Sequence, residues 1–176
     1  MHEVLFEALA QMPCSTRALC VCGYGELGDM LRERSGELGI SVDFVGPPGV
    51  GFPEVNRLMN LARIGVVCGV DDGAPAILTE YMLAGLPVLA NSGLKCGLQF
   101  ITPATGRIAN EDQFHKVLRD MLREIQSFNP RETVSRNWSW PITAARFDIL
   151  VNEARQRKLF PTAGLAGAAS GRGTIW

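Results

Sequence analysis

The feature that most constrains this chain is a rhythm. Short, almost unbroken apolar runs at 18–22 (ALCVC), 41–45 (SVDFV), 64–68 (IGVVC) and 87–90 (PVLA) are separated by segments of helical periodicity. A strand that is apolar on both sides must be covered on both sides, and strands joined through helices run parallel. The pattern therefore predicts an α/β domain in which helices cover a parallel sheet. Helices are expected at 2–12, 26–39, 55–61 and 75–84, the second with Leu27, Met30, Leu31 and Leu38 on one side. Gly85 ends the fourth helix, and a Gly/Pro loop fills 46–53. Beyond residue 90 the expectations are a short extended segment near 99–101, a helix at 111–127 and a closing helix at 141–158. The Gly- and Ala-rich stretch 161–176 reads as a flexible tail, so one folded domain is expected over 1–160.

Composition narrows the function. With 47% hydrophobic residues, 20% charged residues and a net charge of -1, the chain reads as an ordinary globular protein. Nucleic acid is not an expected partner, because phosphate backbones are gripped by clustered Lys and Arg, and no such cluster occurs. Cys14, Cys20, Cys22, Cys68 and Cys96 lack metal-ligand spacing, so no metal is expected, and Cys20, Cys22 and Cys68, which lie in apolar runs, read as buried structural thiols. No apolar stretch approaches the roughly 20 residues that span a bilayer, and the acidic N-terminal segment is unlike a signal peptide. A soluble, cytoplasmic protein is expected.

Two motifs compete for a ligand. GYGELG at 23–28 follows a strand and opens a helix, as the dinucleotide fingerprint G-x-G-x-x-G requires. Gly23 and Gly25 would form the tight turn, and an NAD(P)-binding module is one reading. That fingerprint also expects an acid at the end of the second strand, where this chain has Val45, Gly46 and Pro47; Asp43 lies mid-strand. The second motif is VDDGAPAILTEYMLAGLPVLA at 70–90. Asp72 lies in the loop before a helix, Pro75 suits its first turn, and Glu80 leans back toward its N-terminus. The amides of Gly73, Ala74 and Ala76 then surround a positive helix end at the C-terminal edge of the sheet, which makes an anion site. A diphosphate there has Glu80 within reach of ribose hydroxyls and Asp72 within reach of sugar hydroxyls.

DGAPAILTEYMLAGLPV resembles the motif of retaining GT-B glycosyltransferases of the Glu, seven residues, Glu type, whose usual text is E-G-x-P-x-x-x-x-E-A-M-A-x-G-x-P-V. Gly73, Pro75, Glu80, Met82, Gly85, Pro87 and Val88 match in register. VDFVGPPG resembles the strand and loop before the ligand cleft, NRLMNLARIGVV the helix and strand leading to the motif, and TPATGRIA a later turn. NWSWPITAARFDILVNEA resembles the closing helix of that family, so the resemblance spans about residues 2–158. It implies a Rossmann-like three-layer domain with a parallel sheet, a single half of a GT-B fold. It also implies a UDP-sugar or GDP-sugar as donor substrate, retention at the transferred sugar, and no metal or other cofactor. Glu80 then serves the ribose, Asp72, Gly73, Ala74, Pro75 and Ala76 the sugar and phosphates, Val45 and Gly46 the base, and Gly23 and Gly25 the early Gly turn.

The departures from the family pattern carry expectations of their own. Asp72 replaces a Glu and is one methylene shorter, and Gln99 stands where many relatives have an acid. The Arg and Lys that relatives place ahead of the first helix are not in this sequence, which leaves Lys95 as a candidate cation. The N-terminal acceptor domain of the family is also not in it. Half a cleft neither excludes water nor positions two substrates, so the chain alone is expected to bind donor weakly and transfer little or nothing. The readings left open are an excised half, a split enzyme whose partner places it at a membrane, and a non-catalytic nucleotide-binding module. In the family the closing helix packs on the acceptor domain, which makes Trp138, Trp140 and Phe147 candidates for that contact. By analogy the product is a polysaccharide or glycolipid.

Overall fold

The computed structural model describes residues 2–21, 27–46, 48–71 and 75–159. Helix and strand alternate through α1 (Glu3–Ala10), β1 (Arg17–Val21), α2 (Gly28–Glu37), β2 (Ser41–Val45), α3 (Phe52–Met59), β3 (Gly65–Val67), α4 (Ala76–Ala84) and β4 (Val88–Asn91). After these come β5 (Gly106–Ala109), α5 (Phe114–Arg123), α6 (Pro130–Trp138) and α7 (Trp140–Leu159). Every described strand pair is parallel, with β1 beside β2 and β4 between β3 and β5. The α/β layering read from the sequence is present, distributed over a two-stranded and a three-stranded sheet.

β4 shows why the apolar runs carry this information. Val88, Leu89, Ala90 and Asn91 are all buried, although successive side chains point to opposite faces. Leu89, together with Val66 and Ala109, meets a cluster formed by Ala8 and Leu9 of α1 and Phe114, Leu118 and Met121 of α5. On the opposite face α4 lays down Leu78 and Met82, both fully buried, and α3 packs on α4. Each such side chain contributes about 1.5–3 kcal/mol when taken from water.

α4 ends where the sequence says it should. Gly85 takes the left-handed conformation, φ 89°, and its amide and that of Leu86 bond to the carbonyls of Met82 and Tyr81. The last turn has a second cap from far along the chain. Arg131 of α6 donates from Nε to the Leu83 carbonyl at 2.7 Å and from Nη2 to the Ala84 carbonyl at 2.9 Å. A guanidinium there also complements the negative end of the helix.

Several expectations are corrected. The segment near 99–101 is not extended but a 3-10 turn, Leu98–Phe100, and the strand that follows is β5, which the sequence reads as part of a turn. The turn is built on Thr105, fully buried, whose hydroxyl accepts from the Thr102 amide at 2.7 Å and donates to the Phe100 carbonyl at 2.8 Å. β5 carries a charge in its middle, yet Arg107 is accommodated by stacking on Phe128 at 4.7 Å and facing Glu124 at 3.6 Å. The helix expected at 111–127 is shortened to α5 by 3-10 turns at both ends, the first capped by the Asn110 side chain accepting from the Gln113 amide at 3.0 Å. α3 begins earlier than expected because Pro53 opens it, and α6 is an additional helix whose first residue is a proline, the position proline tolerates best.

From Asn137 the chain forms a second unit, of which α7, a single helix of 20 residues, is the described part. It begins one residue before the closing helix expected at 141–158. Trp140 and Phe147 are exposed, and Trp138 is half-buried.

Candidate functional site

The sequence places its ligand at the C-terminal edge of the β3–β4–β5 sheet, and the structure shows how the loops there are held. Asn91 ends β4, 3% exposed, and its side-chain oxygen accepts from the Gly93 amide at 2.9 Å while its amide nitrogen reaches the Cys68 carbonyl at 3.5 Å. The Lys95 amide bonds to the Val70 carbonyl at 3.1 Å, and its ammonium pairs with Asp71. The loop after β4 is thereby tied to the loop after β3. Asn91 was not singled out from the sequence. The signal available was a polar residue closing an otherwise apolar strand just before Ser-Gly, the arrangement in which an Asn side chain caps a turn.

Lys95, the candidate cation, is engaged with an acid one residue before Asp72. Both partners are well exposed, so the pair is worth at most about 1 kcal/mol and can be exchanged for another anion. Pro75 is buried and forms the N-cap of α4 rather than its first helical residue, with ψ 86°. Ala76 is exposed and opens the helix. Gly23, Gly25, Asp72, Gly73 and Ala74 lie outside the described residues.

Glu80 is exposed, on the outward stripe of α4 with Ala76 and Leu83. The sequence reading expects apolar surroundings for Glu80, but Leu78 and Met82 turn inward and Glu80 faces outward, where it borders an open surface groove. Between α3 and α4 runs a cleft of about 420 Å³ lined by Phe52, Val55, Asn56 and Met59 on one wall and Glu80, Leu83 and Ala84 on the other, with Arg131 at one end. The sequence reading assigns neither Phe52 nor Asn56 to a site: it leaves Phe52 in the loop at 46–53, and Asn56, inside the helix expected at 55–61, carries no motif of its own.

Val45 and Gly46 end β2, both half-buried, and Gly46 turns the chain with φ 98°. Arg32 of α2 lies over the Phe44 ring at 4.6 Å and donates to the Gly46 carbonyl at 3.1 Å, so this corner is braced. Asp43, the nearest acid to the position a dinucleotide fingerprint needs, is held from β1 by Arg17, whose Nη2 donates to both carboxylate oxygens at 2.9 and 2.8 Å. Asp43 also lies in the middle of β2 rather than at its end, where the dinucleotide fingerprint needs an acid, so the NAD(P) reading is not favoured.

A larger cleft, 640 Å³, is lined by Glu3, Glu7, Glu111, Asp112, His115 and Arg34 among others. Its four carboxylates repel a diphosphate, and Arg34 is already paired with Glu7 and Glu37 at 2.6 and 2.9 Å. Among the described residues no three His, Cys, Asp or Glu side chains gather to hold a metal, and no helix is long and apolar enough to cross a membrane.

Cys68, just beyond β3, is a structural thiol in the sense the sequence suggested. Burial pushes its pKa up to about 11, against the opposing effect of a hydrogen bond with the Leu5 backbone. At pH 8 only about one part in a thousand is thiolate. Alkylation of the native protein at pH 8, read by peptide mass spectrometry, is expected to label exposed Cys14 and spare Cys68, with Cys68 labelling accelerating as the pH approaches 11. Equal rates at the two sites would contradict the burial.

No family model and no curated protein matches the chain. Solved structures do. One is WaaG, a glycosyltransferase involved in lipopolysaccharide biosynthesis, with a TM-score of 0.66 and 25% identity over 84% of this chain and 42% of that one. Another is the catalytic domain of cholesterol-alpha-glucosyltransferase from Helicobacter pylori, with a TM-score of 0.63 and 16% identity over 78% of this chain and 90% of that one. The chain spans less than half the length of WaaG. Parallel strands, covering helices and these neighbours together show a Rossmann-like glycosyltransferase fold of the GT-B kind.

Proposed function

We propose that the chain is the donor-binding half of a retaining glycosyltransferase of the Glu, seven residues, Glu type, which takes a UDP-sugar or GDP-sugar as substrate and needs no metal or other cofactor. The observation that carries this reading is Glu80: an exposed carboxylate one turn into α4, set in a groove of nucleoside size on a glycosyltransferase fold. Glu80 accepts hydrogen bonds from the ribose hydroxyls. The first amides of α4, which Pro75 has no side chain to cap, face the diphosphate together with Gly73 and Ala74. Asp72 holds hydroxyls of the sugar to be transferred, and Val45 and Gly46 lie against the base.

As the bond to the diphosphate breaks, negative charge grows on the departing phosphate. The helix amides stabilise it, with Lys95 released from Asp71 as a cation that joins them. The acceptor hydroxyl and the facing wall of the cleft belong to a separate domain, which keeps water out and sets the attack geometry. That partner also places the activity at the cytoplasmic face of a membrane, where a polysaccharide or glycolipid is extended. On its own the chain binds donor and transfers little.

Calorimetric titration with UDP, GDP, their hexose derivatives and NAD tests this reading. One nucleoside diphosphate should bind and NAD should not. Binding of NAD alone would move the site to GYGELG and end the donor-half interpretation.

A further inference from the structure

We infer that Phe52 is the platform on which the donor's nucleobase stacks, so that the base is held by its π-face and the ribose by Glu80. This deepens the donor-binding reading and rests on it. Phe52 is the first residue of α3 and 91% exposed, the most exposed of the large apolar side chains among the described residues. No packing within the domain accounts for it. The ring stands on the wall of the cleft that contains Glu80, and Val55 and Met59 continue the same apolar stripe at helical spacing.

The chemistry of a nucleoside connects the two residues. A carboxylate that accepts from the ribose hydroxyls fixes the ribose, and a single glycosidic bond then carries the base a few ångströms further into the groove. A flat, partly apolar ring system placed there meets a bare aromatic face, which favours offset stacking. Asn56, one turn further along α3 in the same wall, offers both a donor and an acceptor to a base edge. Stacking accepts every base, so Phe52 supplies affinity while Asn56 supplies the choice between bases.

The test uses the full chain and its Phe52→Ala, Phe52→Trp and Glu80→Ala variants, titrated with UDP, GDP and ribose 5-phosphate. Phe52→Ala should weaken the preferred nucleoside diphosphate about five- to a hundredfold, the range of one lost base stack. It should leave ribose 5-phosphate, which has no base, unchanged. Phe52→Trp should keep the affinity and show its added emission quenched on binding. Since the ring is exposed, the melting temperature of Phe52→Ala should match the parent. If Phe52→Ala binds nucleoside diphosphates like the parent while Glu80→Ala does not, the stacking platform is wrong and the donor reading stands. Equal weakening of ribose 5-phosphate also overturns it. If the parent binds no nucleotide at all, both readings fall.

Discussion

Alanine at Gly106 is expected to cost about 3–4 kcal/mol and to lower the melting temperature by roughly 6–16 °C. Gly106 opens β5 in register with Val88, and a Cβ built on it overlaps the Val88 carbonyl oxygen, with the Val88 backbone nitrogen only 2.9 Å away. The usual escape from overpacking, rotation of a side chain, does not exist when the obstacle is backbone. β4 cannot retreat either, being buried on both faces, and the turn before Gly106 is pinned by the Thr105 hydroxyl. Against a total stability of about 5–15 kcal/mol this is a large fraction. Gly36 is the control: a Cβ there meets nothing within 4 Å, and alanine should be neutral or stabilising by up to about 1 kcal/mol. Thermal unfolding followed by circular dichroism compares the two. A Gly106→Ala melting point within 2 °C or so of the parent would mean that β4 and β5 do not approach as described.

The second large effect is on binding. Glu80→Ala should reduce affinity for the preferred nucleoside diphosphate about a hundredfold, because a carboxylate accepting from two neighbouring hydroxyls forms charge-assisted bonds worth about 1.5–3 kcal/mol each, which do not add fully. Glu80→Gln keeps one acceptor oxygen and should lose about tenfold. The 2′-deoxy nucleotide provides the matching deletion on the ligand. It should bind the parent more weakly than the ribonucleotide does, yet bind Glu80→Ala no worse. Exposed Glu80 makes no packing contribution, so the variants should melt like the parent. Equal discrimination between ribo- and deoxynucleotide in parent and variant would remove Glu80 from the ribose.

How much of this was legible in the sequence differs from element to element, and the differences have physical causes. β2 is legible to the residue because Val42 and Phe44 alternate along it and glycines at 39 and 46 bound it. α4 was read nearly so, since proline before it and glycine after it mark the two ends of a helix chemically. β5 is hard to see because four residues that begin with Gly and contain Arg do not look apolar; the arginine is received by the Pro103 carbonyl nearby and by Phe128 and Glu124, more distant in sequence. The position of Glu80 on an outward stripe follows from helical spacing, whereas the opposite wall of its groove does not. That wall depends on how α3 packs against α4, and Phe52 joins it because the helix starts three residues earlier than the sequence suggests. The Lys95–Asp71 pair and the reach of Asn91 to the Cys68 carbonyl illustrate a further limit: these partners are fixed when the two loops come together, and no periodicity encodes that. For the dinucleotide fingerprint the acid missing from the end of β2 is legible in the sequence, and in the structure Asp43 stays mid-strand, facing Arg17.

The hold of Arg131 on the end of α4 bears on how short a self-sufficient version of this unit can be. The two carbonyls it caps are 47 and 48 residues behind it, beyond β4, β5 and α5. A chain cut after α5 would retain every described strand and both helices of the main apolar cluster, yet its groove helix would end in carbonyls answered by water alone. A shortened version of this unit therefore keeps the intended end of its groove helix only if it extends through α6, where Arg131 supplies the cap and Pro130 and Val134 are buried.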